Sequence, residues 1–415
     1  MKLYLHNIGK VGEAEIAIDG ITVIAGENNT GKSTIGKALF AVFNAFYDVE
    51  RRIEEARIDS MQNVMLSLRR RTEMSYTRSI ELNHLIRSLV ENRSTPSVEE
   101  LSEELSKFLG RKDDETEDVG KDTAISMAQN IIQSLKLDDD TVFALLMRRR
   151  LNAEFNAQVT NLYSTLPGRI CLTIQNSPVT VSIDQDGHIA VDQRLDLHTE
   201  AIYLDDPFVL DEVFYRTRFS ISNHRNHLIW KMQAERDEAG VVSEFLTGQR
   251  LENIYGMVSS ICAGDIVLDR REGSGYRIPG QDVLLDVKNL STGLKTFAIL
   301  KRLLMNGSVE ENGIIILDEP EIHLHPEWQL LLAELIVLLH REFGLHVLLN
   351  THSPYFLNAI EVYSARHGVS DKCRYYLSRD TAEGAYFDEV TGELERVYCQ
   401  LARPLQELEN QRYAE

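Results

Sequence analysis

Ile21-Thr22-Val23-Ile24-Ala25-Gly26-Glu27-Asn28-Asn29-Thr30-Gly31-Lys32-Ser33-Thr34 is the stretch whose reading decides the fold. Its first five residues form a short apolar run rich in β-branched side chains, the pattern of a buried strand. The next eight, Gly26 to Ser33, fit G-x-x-x-x-G-K-[ST], a loop whose backbone N–H groups surround phosphates. Apolar residues then recur through Leu39-Phe40-Ala41-Val42-Phe43 as a helix. Strand, glycine loop and helix in that order form the setting the motif requires. Gly26 and Gly31 permit backbone angles and a close phosphate approach that a Cβ would hinder. Lys32 supplies positive charge to the β- and γ-phosphates, and Ser33 a hydroxyl to Mg²⁺. Gly26, Asn28, Asn29, Thr30, Gly31, Lys32, Ser33 and Thr34 are therefore the ATP-binding candidates.

Three later stretches supply what a phosphate loop needs for hydrolysis. In Ile314-Ile315-Ile316-Leu317-Asp318-Glu319-Pro320 an acidic pair follows four apolar residues, at the C-terminal end of a buried strand. Ligands bind at that edge of a parallel sheet. Asp318 there holds Mg²⁺ through water, and Glu319 orients and deprotonates the attacking water. His352 follows the next buried strand, Val347-Leu348-Leu349-Asn350, on the same edge, within reach of a γ-phosphate. Leu290-Ser291-Thr292-Gly293 opens a helix. Ser291 is a good N-cap, which alone would explain it. A helix N-terminus carrying a serine hydroxyl and a glycine, here Ser291 and Gly293, also makes an anion site, one that can serve the phosphate of a second protomer. Glu321, His323 and His325 lie in a loop bracketed by Pro320 and Pro326, with no distant Cys or His pattern to complete a zinc site.

The rest of the chain is ordinary globular material of 415 residues, 43% hydrophobic and 26% charged, enough for two or three packed units. No run approaches the roughly 18 apolar residues of a membrane span, and no signal-peptide core opens the chain, so a cytoplasmic protein is expected. Cys171, Cys262, Cys373 and Cys399 are scattered, forming neither a disulfide framework nor a metal pattern. The net charge of −20 repels a phosphate backbone, so nucleic acid would need a local basic patch. Arg69-Arg70-Arg71 and Arg148-Arg149-Arg150 are the candidates, although solvated helix faces paired with acids explain both more simply.

Residues 1–24 alternate as strands, and residues 48–160 carry helical periodicity interrupted at Asn92–Pro96 and at the acidic Lys112–Asp118. A β-meander is expected over 168–194, a strand at Ala201–Leu204, a helix over 223–263, and an irregular glycine-rich stretch over 271–281. Alternating helices and five-residue apolar runs from 290 onward indicate a parallel sheet covered on both faces. The expected architecture is α/β: a split ATPase head over 1–47 and 161–400 with a mixed, largely parallel sheet, a helical insertion over 48–160, the β-meander, and a tail over 401–415.

Asp318-Glu319-Pro320-Glu321-Ile322-His323-Leu324-His325-Pro326 followed by Thr351-His352-Ser353-Pro354 resembles the ABC-superfamily ATPases of the OLD family. It also resembles the RecF/SMC-like ATPases of bacterial defence modules such as Septu, PARIS and retrons. The resemblance covers the first ~45 residues and about 285–365, and its motifs are specific as a set. It implies Walker A residues at Lys32 and Ser33, a Walker B pair at Asp318 and Glu319, a signature motif acting in trans at Ser291 and Gly293, and a switch histidine at His352. OLD nucleases continue into a Toprim domain, for which the ~50 residues after the Pro354 helix are too few. The superfamily's glutamine loop has no secure counterpart, although Asp205-Asp206-Pro207 occupies roughly its place. The leading expectation is a slow ATPase that uses ATP and Mg²⁺. It would form a head-to-tail homodimer or higher oligomer and control a separately encoded nuclease or toxin in anti-phage defence. A DNA-repair ATPase of the RecF/SMC type is the alternative, and an ATP-binding scaffold without turnover the third.

Overall fold

The computed structural model describes residues 1–69, 76–109, 117–214, 223–235, 254–269 and 273–413. It contains two compact units. One comprises Met1–Tyr47, Arg149–Gln193 and Leu197–Glu415, and the other Asp48–Arg148 with Arg194–Asp196. The helical segment expected over 48–160 lies in the second unit as far as Arg148, and its last helix, Asp139–Phe155, belongs to the first unit from Arg149 on.

The first unit is built on one 11-stranded sheet in the order β6-β5-β4-β1-β2-β13-β12-β3-β11-β10-β7. Its strands are β1 (Lys2–Ile8), β2 (Val11–Ala17), β3 (Ile21–Ala25), β4 (Gly168–Ile174), β5 (Ser177–Ile183), β6 (Ile189–Val191), β7 (Ala201–Leu204), β10 (Ile314–Asp318), β11 (His346–Thr351), β12 (Cys373–Thr381) and β13 (Gly384–Glu389). The order explains the two kinds of pattern in the sequence. β3, β10 and β7 are buried along their whole length, and β11 is buried from its second residue on; all four run parallel to their neighbours. Side chains on both faces must then be apolar. β1, β2, β4 and β5 alternate buried and exposed positions and pair antiparallel. The β-meander is therefore no separate module, since β4 pairs with β1 from Lys2↔Thr173 to His6↔Arg169 and extends the same sheet.

Helices pack on this sheet through apolar faces. Those that matter for the site are α1 (Lys32–Ala45), α7 (His224–Gln233), α9 (Thr292–Met305), α10 (Pro326–Phe343) and α11 (Pro354–Arg366). The core around them joins Ile21, Val23, Leu317, Leu349, Phe297 and Phe356. Each such buried side chain contributes about 1.5–3 kcal/mol of transfer free energy.

The glycine-rich stretch expected to be irregular holds a strand instead. β8 (Asp265–Asp269) and β9 (Gly273–Arg277) form a separate hairpin. Gly275 opposes Val267 there, and a Cβ on it would stand 2.8 Å from the carbonyl of Leu285, so the glycine permits a close backbone approach rather than a break. The helix expected over 223–263 is present as α7 and as α8 (254–261), and residues 236–253 lie outside the described ones.

In the second unit, α2 (Val49–Arg69), α3 (Tyr76–Glu91), α4 (Val98–Leu109), α5 (Glu117–Lys136) and the start of α6 (Asp139–Phe155) surround a small core of Leu82, Ile86, Leu101, Leu105, Ala128 and Ile131. The Arg57 guanidinium closes the end of α5 by donating to the carbonyls of Ser134 and Leu137 and to Asp139. Most of the acidic segment Lys112–Asp118 and of the first arginine triplet falls outside the described residues. In the second triplet Arg150 is buried, with its guanidinium 5.8 Å from the Phe40 ring centroid, while Arg148 is half-buried and Arg149 exposed. The expected tail over 401–415 is, as far as Tyr413, the second half of α12 (Leu394–Tyr413). No described helix is long and apolar enough to cross a membrane.

Candidate functional site

Four parallel strands end side by side, and every hydrolytic candidate lies at or beyond one of those ends. Asn350 is level with Ile24 and with Asp318, Thr351 with Ala25, and Leu317 with Leu204. The loops leaving β3, β11, β10 and β7 therefore share one edge. This is where an open α/β sheet binds ligands.

The glycine loop leaves β3 at Gly26, whose φ is 146°, and a Cβ there would stand 2.0 Å from Ser378 Oγ. Ser378, on β12, shares a 2.6 Å hydrogen bond with Thr30 Oγ1, and Thr30 in turn donates to the carbonyl of Glu27 at 2.8 Å. Lys10 anchors the outer side by donating to the carbonyl of Asn29 at 2.5 Å while pairing with Asp380 at 2.8 Å. The loop is thus a braced ring rather than a slack connection. Gly31 caps α1 with a left-handed φ of 79° and no side chain, so the first-turn N–H groups of α1 have no side-chain cap. Uncapped helix N–H groups attract anions.

Lys32 lies 4% exposed, its ammonium donating to the carbonyls of Gly26 at 3.2 Å and Glu27 at 2.6 Å. Burial pulls its pKa down to about 8, while Glu319, Asp318, Glu321 and Glu27 pull the other way. An uncapped helix start, a buried ammonium and a loop with no room for a Cβ fit an anionic phosphate.

Asp318 ends β10 and is 9% exposed. Its Oδ2 accepts from the Tyr203 hydroxyl at 3.0 Å and its Oδ1 from Asn350 Nδ2 at 2.8 Å. Tyr203 is fully buried on β7, and burial, with Asp318 adding to it, raises its pKa well above 10. The phenol therefore remains a donor, and each carboxylate oxygen is fixed while keeping a lone pair for a metal's water.

Glu319 takes a left-handed φ of 50°, which costs a non-glycine residue on the order of 1 kcal/mol. Its N–H donates to the carbonyl of Asn350 at 2.9 Å, holding the turn on β11. The Glu319 carboxylate Oε1 meets His352 Nε2, and that contact chiefly holds the carboxyl below its ordinary range. The two residues assigned to hydrolysis from sequence are thus in direct contact.

Ser291 caps α9, its Oγ accepting from Leu294 N–H at 3.4 Å. Gly293 is needed for packing: a Cβ there would stand 3.1 Å from the His323 carbonyl and 3.2 Å from the Trp328 ring. The start of α9 therefore lies against the loop after Glu319, and among the described residues no hydrogen bond joins Ser291 to the glycine loop. His323 rests edge-on to Phe208 at 6.1 Å, and Glu321 is buried in hydrogen bonds, so the loop residues do not converge as metal ligands. Among the described residues the metal-compatible cluster is Asp184, Asp186 and His188, all exposed in the β5–β6 turn.

Sequence reading missed the layer beneath the site. Tyr203 stacks on His224, with centroids 4.5 Å apart. His224 bridges Glu154 at 2.6 Å and Asp205 at 2.9 Å. Burial works against a charged ring, yet the hydrogen bonds to Asp205 and Glu154 prevail and raise His224 to about 9. Asp205 follows Leu204 and so stands beside Asp318 on the next strand end, which is what Asp205-Asp206-Pro207 does in place of a glutamine loop. Only the apolar run Ala201–Leu204 ending in acids signalled it. His224 lies 19 positions from Asp205 and 70 from Glu154, and no local pattern reveals these partners.

Residues 183–358 match the family model described as AAA domain, putative AbiEii toxin, Type IV TA system, and residues 2–158 match a model described as AAA domain. Among solved structures, the chain is similar to the SMC head domain from Thermotoga maritima at 11% identity, 94% of this chain, 98% of that one and a TM-score of 0.38. It is similar to an Smc head bound to the C-winged helix domain of ScpA at 12% identity, 95% and 98% coverage and a TM-score of 0.44. An Smc head with an extended coiled coil bound to the C-terminal domain of ScpA, from Pyrococcus furiosus, gives 11% identity, 99% and 98% coverage and 0.39. The glycine loop lies under one AAA model and Asp318, Glu319 and His352 under the other, so both halves of the candidate site fall in segments similar to AAA domains.

Proposed function

We propose that this chain binds Mg²⁺-ATP and hydrolyses it slowly as the regulatory subunit of a defence module. In this reading it acts as a head-to-tail homodimer or higher oligomer and controls a separately encoded nuclease or toxin. The observation that carries the enzymatic part is the convergence of Lys32, Asp318, Glu319 and His352 at adjacent strand ends. Lys32 and the first turn of α1 hold the phosphates. Ser33 and Asp318 would hold Mg²⁺, which when bound neutralises charge on the β- and γ-phosphate oxygens. Glu319 orients a water and takes its proton as the water oxygen bonds to the γ-phosphorus and the bond to the leaving β-phosphate oxygen breaks. His352 stands next to that base and reports the γ-phosphate through it. The family description naming a putative toxin of a type IV toxin–antitoxin system supports a paired module.

Ser291 itself is exposed at a helix start, which suits a second protomer's γ-phosphate. Ser291→Arg adds bulk and charge there while each monomer still binds ATP. Mixed with Lys32→Ala protein, it forms dimers with one intact composite site, and such mixtures recover a fraction of the turnover both parents lack. No recovery in demonstrated mixed dimers argues for a cis role or for strict two-site cooperativity. Full turnover in Ser291→Arg alone removes the signature role entirely. For the module, Lys32→Ala should abolish control of the effector encoded beside this chain, and unaltered control would refute the regulatory reading.

A further inference from the structure

The turn after β10 is tied to the turn after β11 by more than the Glu319–Asn350 bond. Gln329, in the first turn of α10, donates to the carbonyls of Leu324 at 3.2 Å and Glu321 at 3.4 Å and accepts from Ser353 Oγ at 3.2 Å. Between these ties lies the Glu321 carboxylate, in a residue only 3% exposed. Its Oε1 accepts from the Thr351 hydroxyl at 2.5 Å and from the His352 N–H at 3.0 Å. Its Oε2 is buried with no hydrogen-bond partner among the described residues. A buried carboxylate with one idle oxygen costs stability, so what it gives back must come through the other oxygen.

That other oxygen grips the backbone of the residue whose ring meets the base. We infer that Glu321 is the positioning residue of the hydrolytic site: its Oε1 fixes the His352 backbone and thereby the place of the His352 ring on Glu319. The inference rests on the ATPase reading above. The need for such a brace is visible in Glu319, whose left-handed φ of 50° must be held by its surroundings. Among the described residues no hydrogen bond joins Glu321 to the glycine loop, and its charge reaches Lys32 only through space, so its loss acts on turnover more than on phosphate binding.

The test uses the full chain with Glu321→Ala and Glu321→Gln, reading Mg²⁺-ATP affinity, kcat and melting temperature separately. In the Ala variant kcat falls about 10²-fold, the worth of an ångström of misplacement, while ATP affinity stays within about twofold. The Gln variant returns to within about tenfold of the original, because its amide oxygen accepts the same two hydrogen bonds. Should the Ala variant fail to fold, Thr351→Val removes one of the two donors with the side-chain shape kept, and kcat again falls without a change in affinity. Undiminished kcat in Ala or in Thr351→Val overturns the inference, as does equal loss in Ala and Gln, or a loss of ATP binding that tracks melting temperature. Turnover in the original protein that survives Lys32→Ala overturns the ATPase reading itself, and this inference with it. Lys32-dependent turnover that is indifferent to Glu321 overturns this inference alone.

Discussion

Raising the pH from 7 to 9 should weaken ATP binding about tenfold, and Lys32 should be the cause. Burial holds its ammonium at about 8 in the free protein. The bound form needs the charge, so the apparent Kd scales as 1 + 10^(pH − 8). Between pH 7 and pH 9 that factor rises from about 1.1 to about 11, a tenfold loss worth ~1.4 kcal/mol. The γ-phosphate, with a pKa near 6, is largely ionised across that range and adds little. Calorimetry in two buffers of different ionisation enthalpy reads the same event as proton uptake, from about 0.1 at pH 7 to about 0.9 at pH 9. Stability moves the opposite way. Between about 8 and the ordinary 10.5 the unfolded chain keeps a proton that the folded chain has released, so Lys32's share of stability rises with pH in that window. Lys32→Arg stays charged throughout and loses the slope, whatever its absolute affinity. A flat Kd from pH 7 to 9, or an equal slope in Lys32→Arg, would refute the reasoning.

Two further outcomes test the site. Glu319→Gln keeps the hydrogen-bonding shape but cannot accept a proton, so nucleotide remains bound while turnover drops roughly 10²–10⁴-fold, with single-turnover kinetics as the check and undiminished turnover moving the base to His352. Tyr203→Phe removes a 3.0 Å donor from the buried Asp318 carboxylate, which should cost about 1.5–3 kcal/mol in denaturant melts and raise the Mg²⁺ concentration needed for turnover; an unchanged melt would show that Asp318 does not depend on it.

What the sequence made legible is what one segment can carry alone. The buried strand and glycine loop at 21–34 announce themselves because every position answers to the same local demand, apolar on both faces and then small. Asp318 and His352 could be placed on one sheet edge because each follows an apolar run in a parallel sheet. The Glu319–His352 contact needed only that adjacency. Ser291 was visible as a helix start, yet Gly293's packing against His323 and Trp328 depends on a loop thirty residues on.

The rest was hidden because its partners meet only in the folded sheet. Nothing near Tyr203 in sequence says that its hydroxyl holds Asp318, since β7 and β10 are joined through more than a hundred intervening residues. Glu154, His224 and Asp205 come from three segments, and each alone reads as an ordinary solvated polar residue. The same holds for Glu321, which the sequence presents as one more acid in an acidic loop. Folding turns it into a carboxylate gripping the backbone beside the base. The motif residues therefore set which chemistry is available, and the unmotivated polar residues beneath them set whether its parts are held in register. Substitutions in that second group should separate binding from turnover, because they leave the phosphate cradle untouched and loosen only the geometry around Asp318, Glu319 and His352.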